Sequence, residues 1–370
     1  ARTQQRVLAE TGSEGKTSCK DMLRLALDGQ GAVHVSEKSY NNRWGVPLTL
    51  ARMPSDTDYL VVEIGMNQPG EIAPLARLVR PHIGLITTVG AAHLAAFDDL
   101  AGIAREKAQL LAGLEPGGTA ILNRDIETYP IMASLAEEHA DHIVTFGRSG
   151  MADYRLREVQ ISNMLTIGNL WTPNHEQFFK LAAVGEHHAF NAVAVLAAVE
   201  AAGADPILAA LDLQSWRPLN GRGQYIDIVI DAEADNGSIV LVDDAYNANP
   251  SSLVAGLAAL GGMTGAGSRI AILGDMLELG STEVDIHVKL AADPAIDHVD
   301  TVHCIGPLMR HFYDALPYSK RGLWSEQPQD IISRIRQIVA IGDIVLVKGS
   351  RASGTSEVAL ALQNLGTRMA

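Results

Sequence analysis

Short apolar runs recur along the first 150 positions, each about as long as a buried strand and most followed by apolar residues at helical spacing. The runs at 7–9, 59–64, 83–89, 119–122 and 142–146 read as strands. Met22, Leu23, Ala26 and Leu27 share one face of a helix that starts near Lys16, and further helical patterns cover 100–114 and 129–140. Strands alternating with helices predict a parallel sheet covered on both faces. From 154 to 184 the pieces shorten and become β-like, with turn signals at Gly168-Asn169 and Thr172-Pro173-Asn174. An Ala-rich helix follows over 189–202, and the stretch 216–223 reads as a loop and a domain boundary. Beyond it, strands at 239–242, 269–273, 301–305 and 343–347, each followed by a helical stretch, predict a second doubly wound domain. The expectation is an α/β chain with a central domain at 1–220, its sheet mainly parallel, and a smaller Rossmann-like domain at 221–370.

Composition narrows the class without naming a function. Of 370 residues, 47% are apolar and 19% charged, which is the balance of a folded soluble chain. The formal net charge of −14 argues against non-specific nucleic-acid binding. No apolar run approaches the roughly 18 residues of a membrane span, and the first residues carry no signal-peptide core. Cys19 and Cys304 are too few for a disulfide framework and fit a reducing cytoplasm.

The strongest local signal is TGSEGKTS at 11–18, between a strand and a helix. Glycines there let backbone N–H groups approach phosphate oxygens, and the helix N-terminus favours an anion. Lys16 would neutralise phosphate charge, and the Thr17 hydroxyl would ligate Mg²⁺. Glu10 stands where the strict phosphate-loop pattern has its first glycine, so a plain glycine turn with a solvated lysine is the competing reading. Glu63, near the carboxyl end of a buried strand, is a metal ligand or an ion-paired strand end. His93, past the next strand, is a metal ligand or a loop cap. Lys107 lies on a helix, where a lysine is ordinarily solvated. His287, His303 and His311 read as surface or capping residues, although His287 could sit near the cleft. Cys304 reads as strand packing, and Trp44 as an anchor for the loop after Asn41-Asn42.

Taken in order, TGSEGKTS, NNRWGVPLTL, EIGMNQPGEI, the His93 loop, GEHHAFNAVAVLAAVEAAG, NGRGQ, LVDDAYNANPSS, LGDMLELG and VKGSR resemble the Mur ligases over essentially the whole chain. The NNRWGVPLTL, DDAYNANP and LGDMLELG segments resemble the branch that adds D-alanyl-D-alanine. The resemblance implies a cytoplasmic, monomeric, ATP-dependent amide-forming ligase of peptidoglycan precursor synthesis. Its substrates would be ATP, a UDP-muramoyl tripeptide and D-Ala-D-Ala, joined through an acyl phosphate. Metal and lysine charge must then offset the repulsion between two reacting anions.

The resemblance also implies site residues. Gly12, Ser13, Gly15, Lys16, Thr17 and Ser18 would hold the phosphates. Thr17, Glu63, His93 and Lys107 would serve two Mg²⁺ sites, with Lys107 carbamylated by CO₂. Asn191 would meet adenine, Arg222 the γ-phosphate across the domain boundary and Asp244 the ribose. Asn41, Asn42, Tyr246, Asn247, Asn249, Lys348, Ser350 and Arg351 would bind substrate. The two domains are expected to hinge about 217–223.

Three features depart from the family pattern. Glu14 brings a negative charge into the phosphate loop, which weakens ATP binding unless it points outward. His188 replaces an Asn ahead of Asn191. Family members also carry a front domain for the UDP-linked substrate, whereas this chain starts about ten residues before the loop. As given, the chain is therefore expected to bind ATP better than the UDP-precursor. The competing readings are a nucleotide-binding pseudo-ligase, or another superfamily ligase of the folylpolyglutamate synthase kind.

Overall fold

The computed structural model describes residues 5–91, 94–162, 164–231, 233, 234 and 237–368. The chain divides into two compact units, Ala1–Ala182 with Glu186–Trp216, and Ala183–Gly185 with Arg217–Ala370.

In the first unit β1 (Arg6–Thr11) leads into α1 (Lys16–Asp28), and β2 (Val33–Val35) and α2 (Gly45–Arg52) precede β3 (Tyr59–Glu63). The alternation continues through α3 (Ile72–Val79), β4 (Ile83–Ile86), α4 (Leu100–Ala108), β5 (Thr119–Asn123), α5 (Tyr129–His139) and β6 (His142–Gly147). A meander of β7 (Tyr154–Ser162), β8 (Leu165–Trp171) and β9 (Glu176–Leu181) follows, then α6 (Glu186–Ala201) and α7 (Pro206–Asp212). All nine strands form one sheet in the order β2-β3-β1-β4-β5-β6-β7-β8-β9, parallel up to β7 and antiparallel beyond. Strands β1, β3 and β4 are buried along most of their length, so each reads as a continuous apolar run rather than an alternation. Helix α6 is buried on nearly every side from His188 to Val199, which explains its alanine content: small side chains let neighbours approach closely.

The turn expected at Gly168-Asn169 is not a turn. Both residues lie inside β8, opposite Phe179 and Phe178 of β9. A Cβ at Gly168 would stand 2.2 Å from the Phe179 ring, so this glycine makes room for a buried aromatic across the ladder. The turn signal at 172–174 does fall between β8 and β9.

The second unit holds β10 (Gln224–Val229), β11 (Ser238–Asp244), α8 (Pro250–Gly262), β12 (Arg269–Gly274), α9 (Glu283–Leu290), β13 (Thr301–Ile305) and α10 (Pro307–Ala315). It ends with β14 (Arg321–Ser325), α11 (Pro328–Ser333), α12 (Ile335–Ile338), β15 (Ile344–Lys348), α13 (Thr355–Gln363) and β16 (Thr367–Arg368). Its sheet runs β14-β13-β12-β15-β11-β10-β16, with β10 antiparallel to both its neighbours. Chain order reverses where β15 inserts between β12 and β11. The loops after these three strands therefore share the carboxyl edge where open α/β sheets bind ligands. Among the described residues, no helix is long and apolar enough to cross a membrane.

Candidate active site

In the first unit the loop between β1 and α1 is built for close backbone approach. Gly15 takes a left-handed φ of 81° immediately before α1, and a Cβ there would meet the Asn191 Oδ1 at 2.7 Å. A Cβ at Gly12 would lie 1.9 Å from the Thr87 Oγ1. Thr87 in turn donates to the backbone carbonyls of Thr11 and Glu14. The Ser13 hydroxyl donates to the Gly90 carbonyl at 3.1 Å and accepts from its N–H at 2.9 Å, which stitches the loop after β4 onto the phosphate loop. Lys16 reaches the Gly12 and Ser13 carbonyls at 2.5 and 3.3 Å. Ser18 is half-buried in the first turn of α1.

Directly behind this loop lies a charged cluster sealed from water. Glu63 ends β3, which pairs with β1 so that Glu10 stands opposite Glu63. The Thr17 hydroxyl donates to its Oε2 at 3.1 Å, Lys20 to the same Oε2 at 3.0 Å and Asn41 to Oε1 at 2.7 Å. Burial alone would raise the Glu63 carboxyl, but Lys20, Lys16 and the Asn41 amide together hold it below the usual carboxylate range. Of the two sequence readings of Glu63, the geometry shows the ion-paired strand end. The carboxylate also faces Thr17.

Lys107 is not a solvated helix lysine: it is 2% exposed. Burial and the charge of Lys16 depress its pKa well below the ordinary lysine value, against the opposing pull of Glu106. The neighbouring Glu106 carboxylate accepts from the Gly70 and Ile72 N–H groups at 2.9 and 3.0 Å. That pair of bonds ties the loop after β3 to the helix carrying Lys107. His93 lies outside the described residues.

Thr17 and Glu63 are hard oxygen donors beside a phosphate loop, a set that fits Mg²⁺. Among the described residues no three His, Cys, Asp or Glu side chains gather around one point. The fit therefore rests on these two.

Several expected ligand contacts turn out to have structural partners within the first unit. The Asn42 Oδ1 accepts from the Trp44 and Gly45 N–H groups at 3.0 Å and starts α2. Trp44 does not anchor that loop, since it is 74% exposed. Asn191 lies against Gly15 of the phosphate loop. His188 is buried, its ring edge-on to Trp216 at 5.1 Å, and no hydrogen-bond partner among the described residues reaches either ring nitrogen.

In the second unit the segments LVDDAYNANP, LGDMLELG and VKGSR converge on the carboxyl edge. Asp244 and Lys348 pair at 2.7 Å across the β11–β15 ladder, and Lys348 also donates to the Asn247 carbonyl at 3.1 Å. Burial pushes the Asp244 carboxyl up, against the attraction of Lys348 and Arg222. The Arg222 guanidinium stacks on the Tyr246 ring at 4.0 Å. Asn249 caps α8 in a reciprocal box with Ser252. The Ser350 hydroxyl accepts from the Leu277 N–H at 2.9 Å, joining the loops after β15 and β12. Arg351 is exposed.

His287 and His303 are not surface residues; both are buried. His287 Nε2 accepts from the Met276 N–H at 3.2 Å and Nδ1 lies 2.7 Å from the Glu283 carbonyl, so the neutral ring carries its proton on Nδ1. His303 accepts from the Leu323 N–H at 2.9 Å, and burial pushes it down to about 4. Cys304 packs inside β13 as expected. Sequence reasoning missed Lys20 and Glu106. Lys20 falls one turn past Lys16, on the face α1 turns toward β3; nothing comparable marks Glu106.

The fold and the first unit's site define a phosphate-loop α/β enzyme followed by a second doubly wound unit. Comparison narrows that class. The Mur ligase middle domain matches residues 11–199, and the Mur ligase glutamate ligase domain matches residues 221–351. The chain is 32% identical to the UDP-N-acetylmuramoyl-tripeptide–D-alanyl-D-alanine ligase of Bacillus subtilis (strain 168), over 95% of this chain and 75% of that one. Against the Escherichia coli (strain K12) enzyme of the same name, identity is 32% over 98% of this chain and 78% of the other. A crystal structure of MurF from Acinetobacter baumannii superposes with a TM-score of 0.87 at 26% identity, covering 98% of this chain and 77% of that one. The chain belongs to the Mur ligase family.

Proposed function

We propose that the chain joins D-alanyl-D-alanine to a UDP-N-acetylmuramoyl tripeptide at the expense of ATP. The observation that carries the reaction class is the Thr17–Glu63 pair seated behind a glycine loop at a helix N-terminus. The relatives' names support the substrates. On this reading the acceptor's terminal carboxylate oxygen attacks the γ-phosphorus and ADP leaves. The dipeptide amine then attacks the acyl carbon, loses a proton and expels phosphate, giving the amide. Mg²⁺, when bound, would offset phosphate charge and favour in-line transfer.

The chain's own residues do the rest. Backbone N–H groups from Gly12 to Thr17 cradle phosphate oxygens, Lys16 supplies charge, and Thr17 and Glu63 would hold the metal. Its depressed pKa leaves Lys107 more of the neutral amine that CO₂ requires, which supports a carbamate there and, with it, a second metal site. Lys348, Tyr246 and Arg351 offer charges and an aromatic face for a zwitterionic dipeptide, and Asp244 would meet the ribose. Asn191 stays assigned to the nucleotide, though at the phosphate loop. The enzyme would act as a monomer in the cytoplasm, where ATP is held.

Phosphate release should require ATP, Mg²⁺, the UDP-linked tripeptide and D-Ala-D-Ala together. Release unaffected by omitting D-Ala-D-Ala would overturn the reading.

A further inference from the structure

Glu63 Oε2 is claimed twice. Thr17 donates to it at 3.1 Å, and the Lys20 ammonium sits on it at 3.0 Å. Lys20 is 4% exposed and makes one further bond, to the Lys38 carbonyl. Lys38 holds that carbonyl in place from a left-handed backbone with φ of 46°, unusual for a lysine. Oε1 is committed to Asn41. A metal held by Thr17 and Glu63 would therefore meet a carboxylate that already carries a buried ammonium.

We propose that Lys20 is a built-in competitor for the metal at Glu63, keeping free divalent cations off the site and admitting them only with nucleotide. The inference rests on the ligase reading above and adds a positioning residue to it. A bare dication approaching Glu63 meets the charges of Lys16 and Lys20 at once, in surroundings where water screens little. Nucleotide phosphates bring their own negative charge, which offsets both lysines. Lys20 can then keep its bond to the Lys38 carbonyl and share or release the carboxylate. The consequence is ordered loading, with metal and nucleotide arriving together.

The test is Mn²⁺ binding followed by electron paramagnetic resonance, with and without ADP, on the wild-type chain, Lys20→Met and Lys20→Met combined with Glu63→Gln. Wild type should bind Mn²⁺ weakly alone and well with ADP. Lys20→Met should bind Mn²⁺ alone at least about tenfold more tightly than wild type, and the double variant should lose that gain. A folded Lys20→Met that gains nothing overturns the proposal, as does a gain that survives Glu63→Gln. A merely structural lysine would lower stability without creating metal affinity. Should Lys20→Met fail to fold, ¹³C-lysine spectra of the wild type decide. The Lys20 Cε signal should move when Mg²⁺ and ADP are added together and stay put with Mg²⁺ alone; the opposite pattern refutes the idea. A wild type that binds no Mg–ADP would instead overturn the nucleotide-site reading itself.

Discussion

At the scale of residues, burial decides which charges the site can use. The Glu63 carboxylate is stripped of water yet stays ionised, because two lysines and an amide supply what the solvent would have given. His188 has no such compensation. Burial and the neighbouring His187 hold its pKa well below the ordinary histidine value. The unfolded chain protonates this ring below about pH 6.5, while the folded chain resists. Burying the ring therefore costs progressively more stability as pH falls below that value, with no further pH-dependence above it. His188→Leu should stabilise the first unit by about 1 kcal/mol at pH 8, by removing ring nitrogens that lack partners. The gain should grow at pH 5. Denaturant titrations at both pH values check this, and a variant less stable at both contradicts it.

At the scale of elements, the phosphate loop works because two strands and two helices converge on it. Gly12→Ala forces a methyl into Thr87, whose hydroxyl already holds the loop closed from two carbonyls. ADP affinity should fall at least about tenfold, with the fold intact by circular dichroism; unchanged affinity on calorimetric titration would refute the loop's role. Much of this architecture was legible in the sequence, since buried parallel strands are apolar runs and their helices repeat at a distinct period. The strands that escaped were β2, β10, β14 and β16, which are short or mixed with polar residues, and lie at or near sheet edges. Gly168 misled because glycine marks turns and tight aromatic packing alike. Within the site, the loop, Thr17 and Glu63 were visible as motifs. Lys20 and the burial of Lys107 were not, because which face of a helix meets a strand depends on partners far away in sequence.

At the scale of the whole molecule, a net charge of −14 must coexist with a site for polyanions. The first unit resolves this locally by gathering Lys16 and Lys20 around one loop end. The second unit brings an ion pair, a stacked guanidinium and an exposed arginine to the carboxyl edge of its own sheet. The chain spans about three quarters of the length of the relatives it matches. The central claim is that the acceptor carboxylate is phosphorylated before the amide forms. It is tested most directly by labelling both oxygens of that carboxylate with ¹⁸O and analysing the released phosphate by mass spectrometry. One ¹⁸O per phosphate, appearing only when D-Ala-D-Ala is ligated, is the expected result. Unlabelled phosphate from a reaction that still makes the amide would contradict it.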